Sequence, residues 1–292
     1  MAGVEGIAAR CRVNGHHEGV AAAQSPTERF QPSRPLTARS VLATALLGAP
    51  DGRLAVSHLL QAGRLLGIAD GAVRTCLSRM VANGELRTAD GVYELSGPLA
   101  ERRHDVDGAV RPRPPDTNWD GQWEVAVVRA GSRSATQRHE LRAAAATLRL
   151  GALRDGCWAR PSNLDHERHP GERSVIERQC VVFRGAIADV APSDVEQTFG
   201  LTEWADGARR LDEEIEATSA EVISHPEPAQ MRDRFLLLIA TARHLRADPM
   251  LPDPLLPNTW PGERLRAAYD RMAQTMRGHL EDVVNSDRAD DS

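Results

Sequence analysis

Arg74, Thr75, Ser78 and Arg79 fall within six consecutive residues of a 292-residue chain. On an α-helix, positions 74 and 78, like 75 and 79, lie one turn apart, so two guanidinium groups and two hydroxyls share one side. Guanidinium groups bond guanine edges or phosphate oxygens in pairs, and hydroxyls bond either. The stripe therefore suits a major groove about as wide as a helix. Val73, Leu77 and Met80 recur at steps of four and three and supply the opposite face, which a fold would bury. A solvated polar face is the competing reading, and the surrounding elements bear on the choice.

A helix is expected from Thr37 to about residue 47, with Thr37 as its cap and Val41, Leu42, Ala45 and Leu46 at helical spacing. A second spans 56 to 66, with Leu59, Leu60 and Leu66 inward and Gly67 as its stop. The third, opened by Asp70, runs to about residue 82 and ends at Asn83-Gly84. Two short apolar runs, 86 to 89 and 92 to 95, then flank Asp90-Gly91, which fits a two-residue type I′ hairpin turn. Three helices followed by a hairpin are the winged-helix order, in which the third helix enters the groove and the hairpin lies alongside.

A mass of 31.8 kDa, 41% hydrophobic and 26% charged residues, describes an ordinary globular protein of two or three compact units. Cys11, Cys76, Cys157 and Cys180 form no C-x-x-C pair, which argues against a zinc ribbon, a thioredoxin motif and a disulfide framework and favours a reducing cytoplasm. The longest apolar stretch, around 235 to 242, falls well short of the ~20 residues of a membrane span. Residues 1 to 30 lack a secretory pattern and read as a disordered tail. The net charge of −5 is uneven: only the part before about residue 115 is positive, and every cation is Arg. Contact with nucleic acid is expected there.

Pro- and Arg-rich stretches at 31–35 and 111–115 mark boundaries. Residues 119 to 190 read as a small α+β unit, with a strand at 119–128, an alanine-rich helix at 137–150 and a strand at 180–183. From about 192 the pattern is helical, with helices expected at 203–218, 229–245 and 262–285. Asp165-His166-Glu167-Arg168-His169 gathers metal-ligand types, but its histidines are three apart and precede Pro170-Gly171, which favours a solvated loop over zinc. Cys157 and Cys180 read as core residues, and no G-x-S-x-G turn supports Ser-His-Asp catalysis.

The stretch Gly67-Ile68-Ala69-Asp70-Gly71-Ala72-Val73-Arg74-Thr75-Cys76-Leu77-Ser78-Arg79-Met80-Val81 resembles the recognition helix of the PaaX-like transcriptional repressors, regulators of phenylacetic acid degradation. Trp119-Asp120-Gly121-Gln122-Trp123 resembles the family's W-D-G-x-W entry to its middle domain. Asp248-Pro249-Met250-Leu251-Pro252, Leu255-Leu256-Pro257 and Trp260-Pro261-Gly262 resemble its D-P-x-L-P…L-L-P…W-P-G signature. The resemblance spans most of residues 34 to 275. It implies an α+β multidomain protein: a tail over 1–33, a winged helix-turn-helix DNA-binding domain over 34–98, a linker over 99–118, a ferredoxin-like middle domain over 119–191 and an α-helical C-terminal domain over 192–292. It further implies a cytoplasmic homodimeric repressor without catalytic activity, cofactor or metal. Such a repressor leaves operator DNA when an aryl-CoA thioester such as phenylacetyl-CoA binds. DNA contact falls on Arg74, Thr75, Ser78 and Arg79, with Arg87 on the hairpin.

Three features depart from the family pattern: Glu85 replaces a usual aromatic residue, Ala69 a usual capping serine, and the short hairpin carries Arg87 as its only cation beside Asp90 and Glu94. Two other readings stay open. A metal-dependent nuclease would use Asp120 in the middle domain, although no second acid aligns with it and a cap on the turn before the strand explains it better. A constitutive binding module without effector is the other. Trp123, Trp158, Trp204 and Trp260 with Arg154 and Arg160 could grip an aromatic acyl group and phosphates, or serve as core.

Overall fold

The computed structural model describes residues 37–49, 51–100, 102–103, 119–167, 169–186, 190–220 and 228–290. The tail expected over 1–33, Cys11 and most of the 99–118 linker lie outside them.

Helix α1 (Ala38–Gly48) starts with a capping box: the Thr37 hydroxyl accepts from the Ser40 N–H, and the Ser40 hydroxyl accepts from the Thr37 N–H. Strand β1 (Arg53–Ala55) leads into α2 (Val56–Leu65), and α3 (Asp70–Ala82) follows. Strands β2 (Leu86–Ala89) and β3 (Val92–Leu95) are joined through Asp90 at φ 51° and Gly91 at φ 73°. Two successive left-handed residues are what a type I′ turn needs. Strand β1 is not legible in the sequence, because three residues are too few to show alternation; only pairing with β3 makes them a strand. The antiparallel order is β1-β3-β2, over a core that includes Leu42, Leu46, Leu59, Val73, Leu77 and Leu86.

The middle unit runs β4 (Gln122–Val128), α4 (Ala135–Thr147), β5 (Gly151–Arg154), β6 (Cys157–Pro161), α5 (Pro170–Gln179) and β7 (Cys180–Ala186). Its four strands are antiparallel in the order β5-β6-β4-β7, the ferredoxin-like β-α-β-β-α-β arrangement. Ala126 of β4, Leu141 and Ala144 of α4, Ile176 of α5 and Cys180 build the layer between sheet and helices. Helix α5 escaped the sequence reading because Pro170-Gly171 looks like a breaker; proline is instead well suited to the first helical position. With Ile176 its one buried residue, α5 also lacks an apolar stripe.

Helices α6 (Pro192–Phe199), α7 (Leu201–Ala220), α8 (Pro228–Arg246) and α9 (Gly262–Asp290) form the remainder. The last three pack together through Trp204, Ala208, Leu211, Leu237, Leu265 and Met272. Val41 of α1 and Ala62 of α2 meet Met231 and Phe235 of α8 and Met276 of α9, so the first unit is docked on these helices.

The placement of α3 depends on a close approach to α2. A Cβ on Gly63 would come within 2.5 Å of Val73 Cγ2. Alanine is favoured over glycine in a helix interior by about 1 kcal/mol, yet overpacking costs about 1–3 kcal/mol. Gly63→Ala is therefore expected to lower the thermal midpoint; a midpoint above that of the wild type would contradict the observed α2–α3 contact.

Candidate nucleic-acid interface

Val73 and Leu77 are 0% exposed and Met80 is 1% exposed, which fixes the rotation of α3 about its axis. Arg74, Thr75, Ser78 and Arg79 are all exposed on the other side. The structure thus brings together the four residues singled out from spacing. They span about 140° of the helix circumference over less than two turns. Thr75 Oγ1 donates to the Gly71 carbonyl at 2.8 Å, and Ser78 Oγ donates to the Arg74 carbonyl at 3.1 Å. Both hydroxyls keep their acceptor lone pairs for an incoming donor. To donate to a phosphate, either must first rotate away from its own helix.

The acids flanking this stripe are both tied up. Ala69, the N-cap of α3, makes no side-chain cap, and the first-turn Asp70 supplies negative charge at the positive end of the helix instead. Arg64 of α2 clasps Asp70 through Nε to Oδ1 at 3.0 Å and Nη2 to Oδ2 at 2.7 Å. Those hydrogen bonds hold the Asp70 carboxyl below the usual carboxylate range. Just beyond the other end, Glu85 accepts from Arg39 Nε at 2.9 Å and Nη2 at 2.9 Å, and the same contact raises the Arg39 guanidinium. Glu85 thus ties α1 to the segment beyond α3. Arg39 and Arg64 were missed from sequence, being 46 and six residues from their partners. Asp70 and Glu85, bracketing a basic stripe, were the available clue.

Arg87 is exposed on β2, with Nη2 3.5 Å from Glu94 on β3. Glu94 also stands opposite Arg53 of β1, so one acid lies between two cations across the sheet. Arg87 is therefore a partly compensated charge on a separate element from the stripe.

The other chemical candidates are built into the scaffold. Asp120 Oδ1 accepts from the Gln122 N–H at 3.0 Å, and Trp119 Nε1 donates to the Gln122 carbonyl at 2.8 Å. With Gly121 at φ 80°, W-D-G-Q-W is a turn that launches β4. His166 Nδ1 lies 3.6 Å from Glu124, a buried acid also flanked by Arg173 and Arg184, while His169 precedes α5 in a left-handed conformation. Among the described residues, no group of three or more His, Cys, Asp or Glu side chains is placed to hold a metal. Arg160 donates to the Pro161, Leu148 and Arg149 carbonyls and to Asn163 Oδ1, and burial pushes its guanidinium down to about 9. Its donors are committed to protein carbonyls, which removes it from the phosphate-gripping reading.

The D-P-M-L-P segment joins the middle and C-terminal units. The buried Asp248 accepts from Arg266 and from the Met250 N–H, while Arg149 donates to the Asp248 carbonyl and Asn163 to that of Met250. Trp204 is sandwiched between His244 at 4.7 Å and Trp260 at 4.6 Å. These two tryptophans belong to the packing.

Residues 37–99 match the family model described as PaaX-like protein. Residues 116–195 match the PaaX protein central Cas2-like domain, and residues 196–286 the PaaX-like protein C-terminal domain. Among solved structures, the chain is similar to an uncharacterized protein, Rv0674, from Mycobacterium tuberculosis. The two are 36% identical, with 85% of this chain and 99% of that one covered and a TM-score of 0.65. No curated protein matches the chain. The chain belongs to the PaaX-like family, a family of transcriptional regulators.

The Asp70–Arg64 clasp has a defined pH signature. Because the folded-state value of Asp70 lies below the unfolded value of about 3.9, its stabilising contribution is complete above that value and is lost as pH falls through the folded value. Asp70→Asn is therefore expected to lower the urea midpoint at pH 7, with the gap to wild type narrowing as pH drops from 5 toward 3; a gap constant across that range would dissociate Asp70 from the effect.

Proposed function

We propose that this protein is a cytoplasmic, homodimeric repressor whose N-terminal unit, residues 34–98, is a winged helix that places α3 in the major groove of operator DNA. The carrying observation is the exposed Arg74–Arg79 stripe, whose flanking acids are each neutralised by an arginine from another helix. Its cationic field is left for phosphates and base edges. Arg74 and Thr75, nearer the helix start, read bases; Ser78 and Arg79 continue the contact one turn on. Arg87 adds a phosphate contact weakened by Glu94. A twofold dimer presents two such helices about 34–36 Å apart to an inverted repeat.

The middle domain, 119–191, and the helical domain, 192–292, carry dimerisation and response to an effector, for which an aryl-CoA thioester such as phenylacetyl-CoA is the class the family suggests. Effector releases the operator by binding the DNA-incompetent arrangement more tightly than the competent one. The protein performs no catalysis in this reading.

Arg74→Ala with Arg79→Ala is expected to abolish specific retardation of the DNA upstream of the protein's own gene while the oligomeric state stays unchanged. Arg87→Ala alone should weaken binding on all sequences alike and reduce the log–log salt slope by at most about 0.9. Unchanged retardation by the double variant would refute the placement, and DNA or RNA cleavage with Mg²⁺ or Mn²⁺ that Asp120→Ala removes would establish a nuclease.

A further inference from the structure

Where α1, β1 and α2 rest on α8 and α9, the interface does not close. Beside the packed cluster of Val41, Ala62, Met231, Phe235 and Met276 lies a cavity of about 400 Å³. Ala45, Ala49, Ala55 and Ala62 face it from the first unit, and Ala242 and Ala273 from the helices. Short side chains facing one another across part of the joint leave this space open, whereas protein interiors ordinarily fill it. Leu54, Leu238, Ile239 and Tyr269 complete an apolar and aromatic wall.

The charge of the lining is one-sided. Five of its residues are arginines, among them Arg53, Arg243, Arg246 and Arg277, against a single acid, Glu281. Arg277 already bridges the joint, its Nη1 donating to the Gly48 carbonyl at the end of α1. His58 also lines the cavity, and its buried Nδ1 has no hydrogen-bond partner among the described residues. Ligand pockets commonly occupy 300–1,000 Å³ between domains, mostly apolar with a few placed polar groups.

We propose that this cavity binds an amphiphilic organic anion, its aromatic or short aliphatic body against the alanine-lined wall and its carboxylate or phosphate among the arginines. One wall is formed by α1, β1 and α2 of the unit that holds α3, and the other by the C-terminal helices, so an occupant sets the angle at which the stripe is offered to DNA. That consequence rests on the regulatory reading above; the binding itself does not.

Calorimetric titration of the full chain with 1-naphthyl phosphate, 1-naphthoate and the neutral 1-naphthol tests the site without DNA, the two anions distinguishing phosphate from carboxylate heads. At least one anion is expected to bind ten times more tightly than the alcohol. Replacing the exposed Arg53 and Arg243 together by Ala should weaken that anion at least tenfold, and Ala273→Phe should fill the cavity and abolish binding. Absence of binding, equal affinity for anion and alcohol, or indifference to the arginine pair overturns the proposal. A protein that binds the anion but retards no DNA keeps this site and loses the regulatory reading. One that retards DNA and ignores every anion keeps the reading and loses the site.

Discussion

Burial of Val73, Leu77 and Met80 fixes the orientation of one helix, and most of the functional logic follows from it. Three apolar side chains at steps of four and three allow little rotation about the axis before one of them meets water, at about 1.5–3 kcal/mol for each large side chain fully exposed. With those three inward, Arg74, Thr75, Ser78 and Arg79 must point out. Gly63 lets α2 come close enough to hold Val73 in place, so the stripe stands on a rigid support.

Rotation alone does not make a basic face, because nearby carboxylates would cancel it. Asp70 in the first turn of α3 and Glu85 just beyond its last turn are each gripped in two hydrogen bonds, by arginines from α2 and α1. Two-pronged pairing of this kind is the strong form of the interaction. Asp70 places its charge at the start of a helix that has no side-chain cap, and Glu85 ties α1 to the region beyond the helix end.

The motifs that carried the resemblance are chiefly architectural. W-D-G-Q-W is a hydrogen-bonded turn ahead of β4, and D-P-M-L-P is a segment on which Arg149 and Asn163 of the middle unit converge. Burial in the stack with Trp204 pushes the imidazole of His244 below its ordinary value. Gly207 leaves room for it: a Cβ there would sit 2.5 Å from the His244 ring. Such motifs are specific because each residue meets a fixed partner, and they identify a family without marking a reactive centre.

Local rules were enough for much of the chain. The Thr37 capping box, the three N-terminal helices, the turn at Asp90-Gly91 and the outward stripe of α3 all follow from interactions between residues a few positions apart. The hairpin at Asp155-Gly156 offered the same dipeptide signal, but its flanking strands carry Arg154 and Arg160 and do not alternate cleanly. Strand β1 and helix α5 draw their stability from partners elsewhere in the chain, so their own residues gave no periodic pattern. Arg39 finding Glu85, Arg160 surrendering its donors to main-chain carbonyls, and alanines from two units facing across an unfilled joint depend on which elements meet. Sequence determined the short-range geometry of the helix; tertiary packing alone decided which charges remained available and where the chain left space.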